Sequence, residues 1–324
     1  MMQQDQQAVE HPLSHQISLM SKPSRLACRF IFLATGQFSN LSTRLAQPML
    51  KLRIVTAVLM ATVFLAMLFS MSPMVFSIAI LFAVALGAWE WADVVGIEGA
   101  VPRLAYIFVL LCTIFGVAVW LGFPAGVASE RAQSILLLAV TLWAVIFLWI
   151  QGYPSSAILW SPRPVQAAMG ILLLTFTWVA IVSVLYKDQG QWLLLVGIVI
   201  VVLADVGGFI VGKIAGRHKM APIVSPGKTW EGFAGGLVFQ LVLIVCLMQF
   251  WSEHLSVLKL SALIFPVALY SVIGDLFESM IKRRSGVKDS GAILPGHGGV
   301  LDRIDGIMAA LPMYALLLHS NFSL

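Results

Sequence analysis

Charge is scarce in this sequence: 20 Lys and Arg and 15 Asp and Glu stand among 324 residues, of which 60% are hydrophobic. So little polar surface cannot cover a soluble domain of this length, and a mean hydropathy of +0.94 excludes one. Cysteine is rarer still. Cys28, Cys112 and Cys246 lie too far apart to read as a disulfide framework or a zinc site. Residues 1–48 carry only a short apolar patch, at 30–34, without the longer core and small-residue cleavage site of a secretory signal. A P-loop is missing as well: Gly227-Lys228-Thr229 has Pro222 where the first glycine of that motif belongs, and no buried strand is expected before it. The net charge of +5 does not point to nucleic acid, because the basic residues flank apolar runs, where membrane topology accounts for them.

What fills the sequence is apolar runs long enough to cross a bilayer, which takes about 20 residues. The reading is an all-α, polytopic integral membrane protein with about nine transmembrane helices and a polar active site at the cytoplasmic side. The expected spans are 54–71, 73–91, 104–123, 133–151, 167–186, 192–212, 233–251, 257–278 and 304–320. A helical hairpin in place of the first two stays open. Residues 1–48 read as a poorly ordered extension, with Met49 a candidate start; 49–191 hold the N-terminal helices and 192–324 the catalytic ones. Trp89, Trp91, Trp120, Trp192 and Trp251 sit near span ends, as interfacial anchors do. With the N-terminus inside, nine spans leave Arg131, Lys187 and Lys259 outside and put the other 13 Lys and Arg after Met49 on the cytoplasmic side. The loop with Lys213, Arg217, Lys219 and Lys228 then shares a side with the segment after residue 278.

That last segment concentrates the chemistry: ten of the 35 charged residues fall between 275 and 305. On a helix, Asp275, Glu278, Ser279 and Lys282 share one face, at i, i+3, i+4 and i+7. After a turn with Gly296, His297, Gly298 and Gly299, the next run opens with Asp302, Arg303 and Asp305. Two helix ends facing each other bring Asp275, Asp302 and Asp305 toward one hard cation such as Mg²⁺, with a second cation left open. Lys282, Arg283, Arg284, Lys288 and Arg303 would surround it, as cations do around a transferring phosphoryl group. Asp205, eight residues before Lys213 in an apolar span, should face a polar cavity or a cationic partner, the alternative being a structural hydrogen bond to a neighbouring helix. The nearby Gly207, Gly208 and Gly212 suit close helix packing. Glu90 and Asp93 close the second span and either coordinate or cap it, the structural role being favoured, and His218, His254 and His319 read as isolated surface residues.

The run SMIKRRSGVKDSGAILPGHGGVLDRID, Ser279 to Asp305, closely resembles the signature of bacterial phosphatidate cytidylyltransferases, also called CDP-diacylglycerol synthases. Ser279, Lys282, Arg283, Lys288, Asp289, His297, Gly298, Gly299, Asp302, Arg303 and Asp305 all fall on that pattern. Ser225 to Gly232, SPGKTWEG, resembles a second family motif, S-P-x-K-T-x-E-G, which places Ser225, Lys228, Thr229 and Glu231 at the substrate. The resemblance implies a bacterial inner-membrane enzyme of phospholipid biosynthesis, with CTP and phosphatidate as substrates and Mg²⁺ as cofactor; a homodimer is left open. Asp275, Asp302, Asp305 and Lys282 are then the expected catalytic set, Arg283, Lys288 and Arg303 hold phosphates, and Asp205 lines the pocket. His297 either touches a phosphate or cytosine or fixes the turn, and Asp289 either orients a cation or binds metal. Two rival readings remain: a transporter of an anionic substrate, and another membrane phosphotransferase using CDP-diacylglycerol. The second lacks its D-G-x₂-A-R motif here, since Asp305-Gly306 is followed by Ile307, Met308 and Ala309.

Overall fold

The computed structural model of the chain describes residues 55–250, 256–287, 290–291 and 298–320. Expectations for residues 1–48 and for Lys288, Asp289, His297, Trp251 and His254 lie outside these.

Among the described residues ten helices run in chain order: α1 (Val55–Ser70), then α2 (Pro73–Val94), α3 (Ala100–Leu121), α4 (Ser129–Gln151), the single turn α5 (Ala157–Trp160), α6 (Arg163–Leu185), α7 (Gly190–Ala215), α8 (Trp230–Phe250), α9 (Val257–Ser285) and α10 (Leu301–His319). Local chemistry sets the boundaries. Ser72 ends the approach to α2 by accepting a hydrogen bond from the Val75 N–H, and Pro73 then opens the helix without a donor to lose. Gly122, at φ +90°, closes α3 in the left-handed conformation, as Gly286 at φ +72° closes α9.

Seven of these, α2, α3, α4, α6, α7, α8 and α9, are long and apolar enough to cross a membrane. The expected first and ninth spans fall on α1 and α10, which are not among the seven. The described part of α1 is short, and α10 opens with Asp302, Arg303 and Asp305 in its first turns. The outward surface is apolar: Phe82, Phe108, Phe115, Ile214 and Leu258 are all exposed. Exposed side chains of this kind suit lipid, and the chain is a polytopic α-helical membrane protein.

α6 is the axis of the bundle, with 83% of its apolar window buried against α2, α3, α4, α7 and α10. Gly170 makes that possible, since a Cβ there would collide with the Trp91 indole and the Tyr106 hydroxyl. Trp91 Nε1 donates to the Gln166 carbonyl at 2.9 Å and Tyr106 to the Ala167 carbonyl at 2.9 Å, so both rings bond as they pack. Trp91 is therefore a core residue and not an interfacial anchor, while Trp120 and Trp192 stay exposed near helix ends.

Among the described residues one small element of this all-α chain is not helical. Between α7 and α8 the chain forms a two-stranded antiparallel hairpin, β1 (Lys219–Ala221) and β2 (Ser225–Thr229), pairing Lys219 with Thr229 and Ala221 with Ser225. β2 carries the second motif. Pro226 is tolerated because a two-stranded ribbon has a free edge on each strand.

Candidate active site

The site is built where α9 and α10 lie side by side in opposite directions. Gly274 allows their closest approach: a Cβ there would strike the carbonyl of Asp305. α9 continues past the expected end of its span to Ser285, so Asp275, Glu278, Ser279 and Lys282 do share one helical face. Within it, Ser279 Oγ lies 3.5 Å from Asp275 Oδ1, and Lys282 Nζ lies 2.8 Å from Glu278 Oε2. The Lys282 ammonium also crosses to α10, reaching Asp302 Oδ1 at 2.7 Å. All three of these charged side chains are largely buried. A hydrogen-bonded ammonium between two carboxylates is a stable way to keep such charges out of water, and removing it would strand both acids.

Asp302 also gathers the backbone of the signature segment. Its carboxylate accepts from the Gly299 N–H at 2.8 Å and the Ser290 N–H at 3.2 Å. Gly298 adopts φ +82°, a conformation that favours glycine. Behind this segment stands Glu90, on α2 and only 2% exposed. Its two carboxylate oxygens accept from the Val300 N–H at 3.0 Å and the Leu301 N–H at 2.8 Å. Sequence reasoning gave Glu90 a structural role but no partner. Its only visible signal was an acid inside an apolar run.

The hairpin brings the second motif to the same place. Lys228 Nζ lies 2.5 Å from Asp275 Oδ2, and Arg283 Nε donates to the Val224 carbonyl at 3.3 Å. The two basic loops thus meet at one end of the bundle. Asp205, Asp275 and Asp305 lie within electrostatic reach of one another and of Lys228, and Asp205 also of Arg303. A cavity of about 460 Å³ opens beside them between α7, α8, α9 and β2. Asp205, Asp275, Ser225, Lys228 and Thr229 form its polar part, and Phe209, Phe233, Leu237 and Val272 line it with apolar surface.

Glycines shape this cavity from both sides. Gly208 and Gly212 line it from α7 and Gly232 and Gly236 from α8. The packing role expected for the α7 glycines is seen at Gly207, where a Cβ would sit 2.9 Å from the Gly235 carbonyl. Thr229 is the residue before α8, and its hydroxyl accepts from the Gly232 N–H at 3.1 Å; the hydroxyl proton remains to donate. Glu231, expected at the substrate, does not line the cavity. Its carboxylate instead accepts from the backbone N–H groups of Arg217 at 3.0 Å and His218 at 3.2 Å, and lies 2.6 Å from His218 Nδ1, pinning the turn between α7 and β1. His218 is exposed yet paired rather than isolated. Asp93 forms an ion pair with Arg103.

Among the described residues no three Asp, Glu, His or Cys side chains converge closely enough to hold a metal ion. Asp302 is engaged by Lys282 and two backbone amides, and Asp275 by Lys228. The acids nearest one another, Asp205, Asp275 and Asp305, offer carboxylate oxygens, the donor type that hard cations take. Glu278 lies against Lys282 and Asp302, with its Oε1 buried.

Residues 51–321 match the model of the Cytidylyltransferase family. The phosphatidate cytidylyltransferase of Pseudomonas aeruginosa is 40% identical over 279 residues, covering 83% of this chain and 97% of the relative. That of Haemophilus influenzae is 35% identical over 286 residues, covering 82% of this chain and 98% of the relative. A shorter match, 42% over 132 residues, covers 41% of this chain and 51% of the phosphatidate cytidylyltransferase of Staphylococcus saprophyticus.

Proposed function

The chain belongs to the cytidylyltransferase family, and from that premise we propose that it converts CTP and phosphatidate to CDP-diacylglycerol and diphosphate. A phosphate oxygen of the lipid attacks the α-phosphorus of CTP in line; a new P–O bond forms as the bond to the β-phosphate breaks, and diphosphate leaves. The attacking group is already an ionised phosphate, so it needs orientation more than deprotonation. The observation that carries this reading is the meeting of Lys228, from the second motif, with Asp275, beside the signature segment, at the mouth of one part-apolar cavity.

Both substrates are anions, and the surrounding cations have to offset their repulsion. Lys228 presents its ammonium to the cavity, Arg283 on α9 donates to the hairpin at Val224, and Arg303 on α10 lies within electrostatic reach of Asp205. Lys282, fixed between Glu278 and Asp302, orients both acids. The apolar cavity wall suits acyl chains entering from the membrane. The cofactor reading is Mg²⁺, which Asp275 and Asp305 would hold, with Asp205 and Glu278 as neighbouring carboxylates. Such an ion supplies neutralisation of the triphosphate charge. In this reading the site faces the cytoplasm, in agreement with the placement of Lys and Arg.

The test is direct. Protein purified in detergent and given CTP, phosphatidate and Mg²⁺ should release diphosphate only when both substrates are present, and ATP or GTP should not replace CTP. Consumption of CDP-diacylglycerol with an alcohol instead would transfer the assignment to a different phosphotransferase. Absence of any turnover would remove it.

A further inference from the structure

α10 begins without a cap of its own. Its N-cap position is Val300, whose side chain offers no acceptor, and no capping hydrogen bond is made there by its own residues. The first N–H groups of a helix have no partner inside it, and buried amides left so are costly. Here the acceptor comes from the other end of the sequence. Both oxygens of Glu90 are spent on two successive amides, Val300 and Leu301. A carboxylate at a helix N-terminus is also favoured by the helix dipole.

The surroundings are shaped to admit this one carboxylate. Gly291 and Gly299 pack directly on it, and a Cβ at either would collide with a Glu90 oxygen. Ser290 faces the same carboxylate. The backbone N–H groups of Ser290 and Gly299 also donate to Asp302, so the two acids hold neighbouring parts of the same backbone. Asp302, Arg303 and Asp305 follow within the first turns of α10.

We propose that Glu90 is a positioning residue for the reaction: from α2 it fixes the start of α10, and so sets where Asp302, Arg303 and Asp305 stand against Asp275 and Lys282 of α9. The inference rests on the cytidylyl-transfer reading above. It assigns Glu90 no contact with substrate. Its effect is transmitted through the two backbone amides it holds.

The experiment uses the full chain in detergent and compares Glu90→Gln and Glu90→Asp with the unmodified protein. Measured are kcat, KM for CTP and for phosphatidate, and the thermal midpoint. A neutral amide keeps one acceptor and presents an NH₂ where the second amide points, so kcat should fall by about 10- to 100-fold while both KM values hold, as for a misplacement of roughly 1 Å. Glu90→Asp keeps the charge and should recover part of that loss. A merely structural residue would lower the thermal midpoint and leave kcat per folded molecule unchanged, and that result overturns the proposal. If Glu90→Gln does not purify as a folded protein, Glu90→Asp carries the test by the same comparison: reduced kcat at constant KM supports it, and unchanged kcat overturns it. Unmodified protein without turnover would overturn the function and this inference together, whereas full turnover in folded variants overturns the inference alone.

Discussion

Lys282 and Asp302, twenty residues apart in sequence, place an ammonium nitrogen and a carboxylate oxygen 2.7 Å apart across the seam between α9 and α10. Because the same ammonium holds Glu278, two buried acids depend on one side chain.

Lys282→Met should therefore be severe in two ways. It leaves Glu278 and Asp302 without their shared cation, which costs about 3–5 kcal/mol where the remaining charge is buried, and kcat/KM should fall by about 10²- to 10³-fold with the loss of the oriented site. Lys282→Arg should recover little, since a planar guanidinium does not reproduce a point contact to two acids. Thermal unfolding in detergent and steady-state diphosphate release measure the two effects separately.

A Mg²⁺ titration should divide the acids. Asp275→Asn and Asp305→Asn are expected to raise the half-saturating Mg²⁺ concentration as well as lower kcat. Asp302→Asn, whose native carboxylate is engaged by Lys282 and two amides, should lower kcat with little change in that concentration. Equal Mg²⁺ requirements in all three would remove the assignment of Asp275 and Asp305.

The contact between α7 and α8 predicts sharp sensitivity to one methyl group. Gly235→Ala would drive a Cβ into Val211 and toward the Gly207 carbonyl, and overpacking of this kind costs about 1–3 kcal/mol. Gly227→Ala in the hairpin meets nothing within 4 Å and should keep the thermal midpoint of the unmodified protein.

Thr229 and Glu231 should behave as supports of the hairpin. Thr229→Val removes a capping acceptor and is expected to lower stability by about 1 kcal/mol, with Thr229→Ser close to neutral. Glu231→Gln should lower the thermal midpoint while leaving KM for CTP near its native value, because its carboxylate faces the 217–218 backbone and not the cavity. A large rise in KM would return Glu231 to the substrate.

The helices and the main polar cluster were legible because both rest on short-range periodicity. Asp275, Glu278, Ser279 and Lys282 lie on one helical face wherever that helix sits, and apolar runs mark spans without knowledge of their neighbours. Contacts with distant partners are not legible in this way. Spacing puts Asp302 and Asp305 on one helix face but does not show that a lysine from another helix pairs with Asp302. Trp91 looked like an interfacial anchor from its place near a span end, yet α6 covers it through Gly170. Glu231 sat inside a substrate-like motif, and its role depends on a turn folded back from α7. The hairpin was hidden because five residues containing Pro226 and Gly227 carry weak strand propensity.

One consequence follows from the Lys228–Asp275 pair. A single ammonium cannot serve a carboxylate and an incoming phosphate at full strength together, so an anion that draws Lys228 away uncovers an oxygen on Asp275. Binding of an anion and binding of a cation at this spot are then thermodynamically linked with the same sign, each raising the affinity for the other by an equal factor. Triphosphate and metal would thus be expected to saturate the enzyme cooperatively, whichever arrives first.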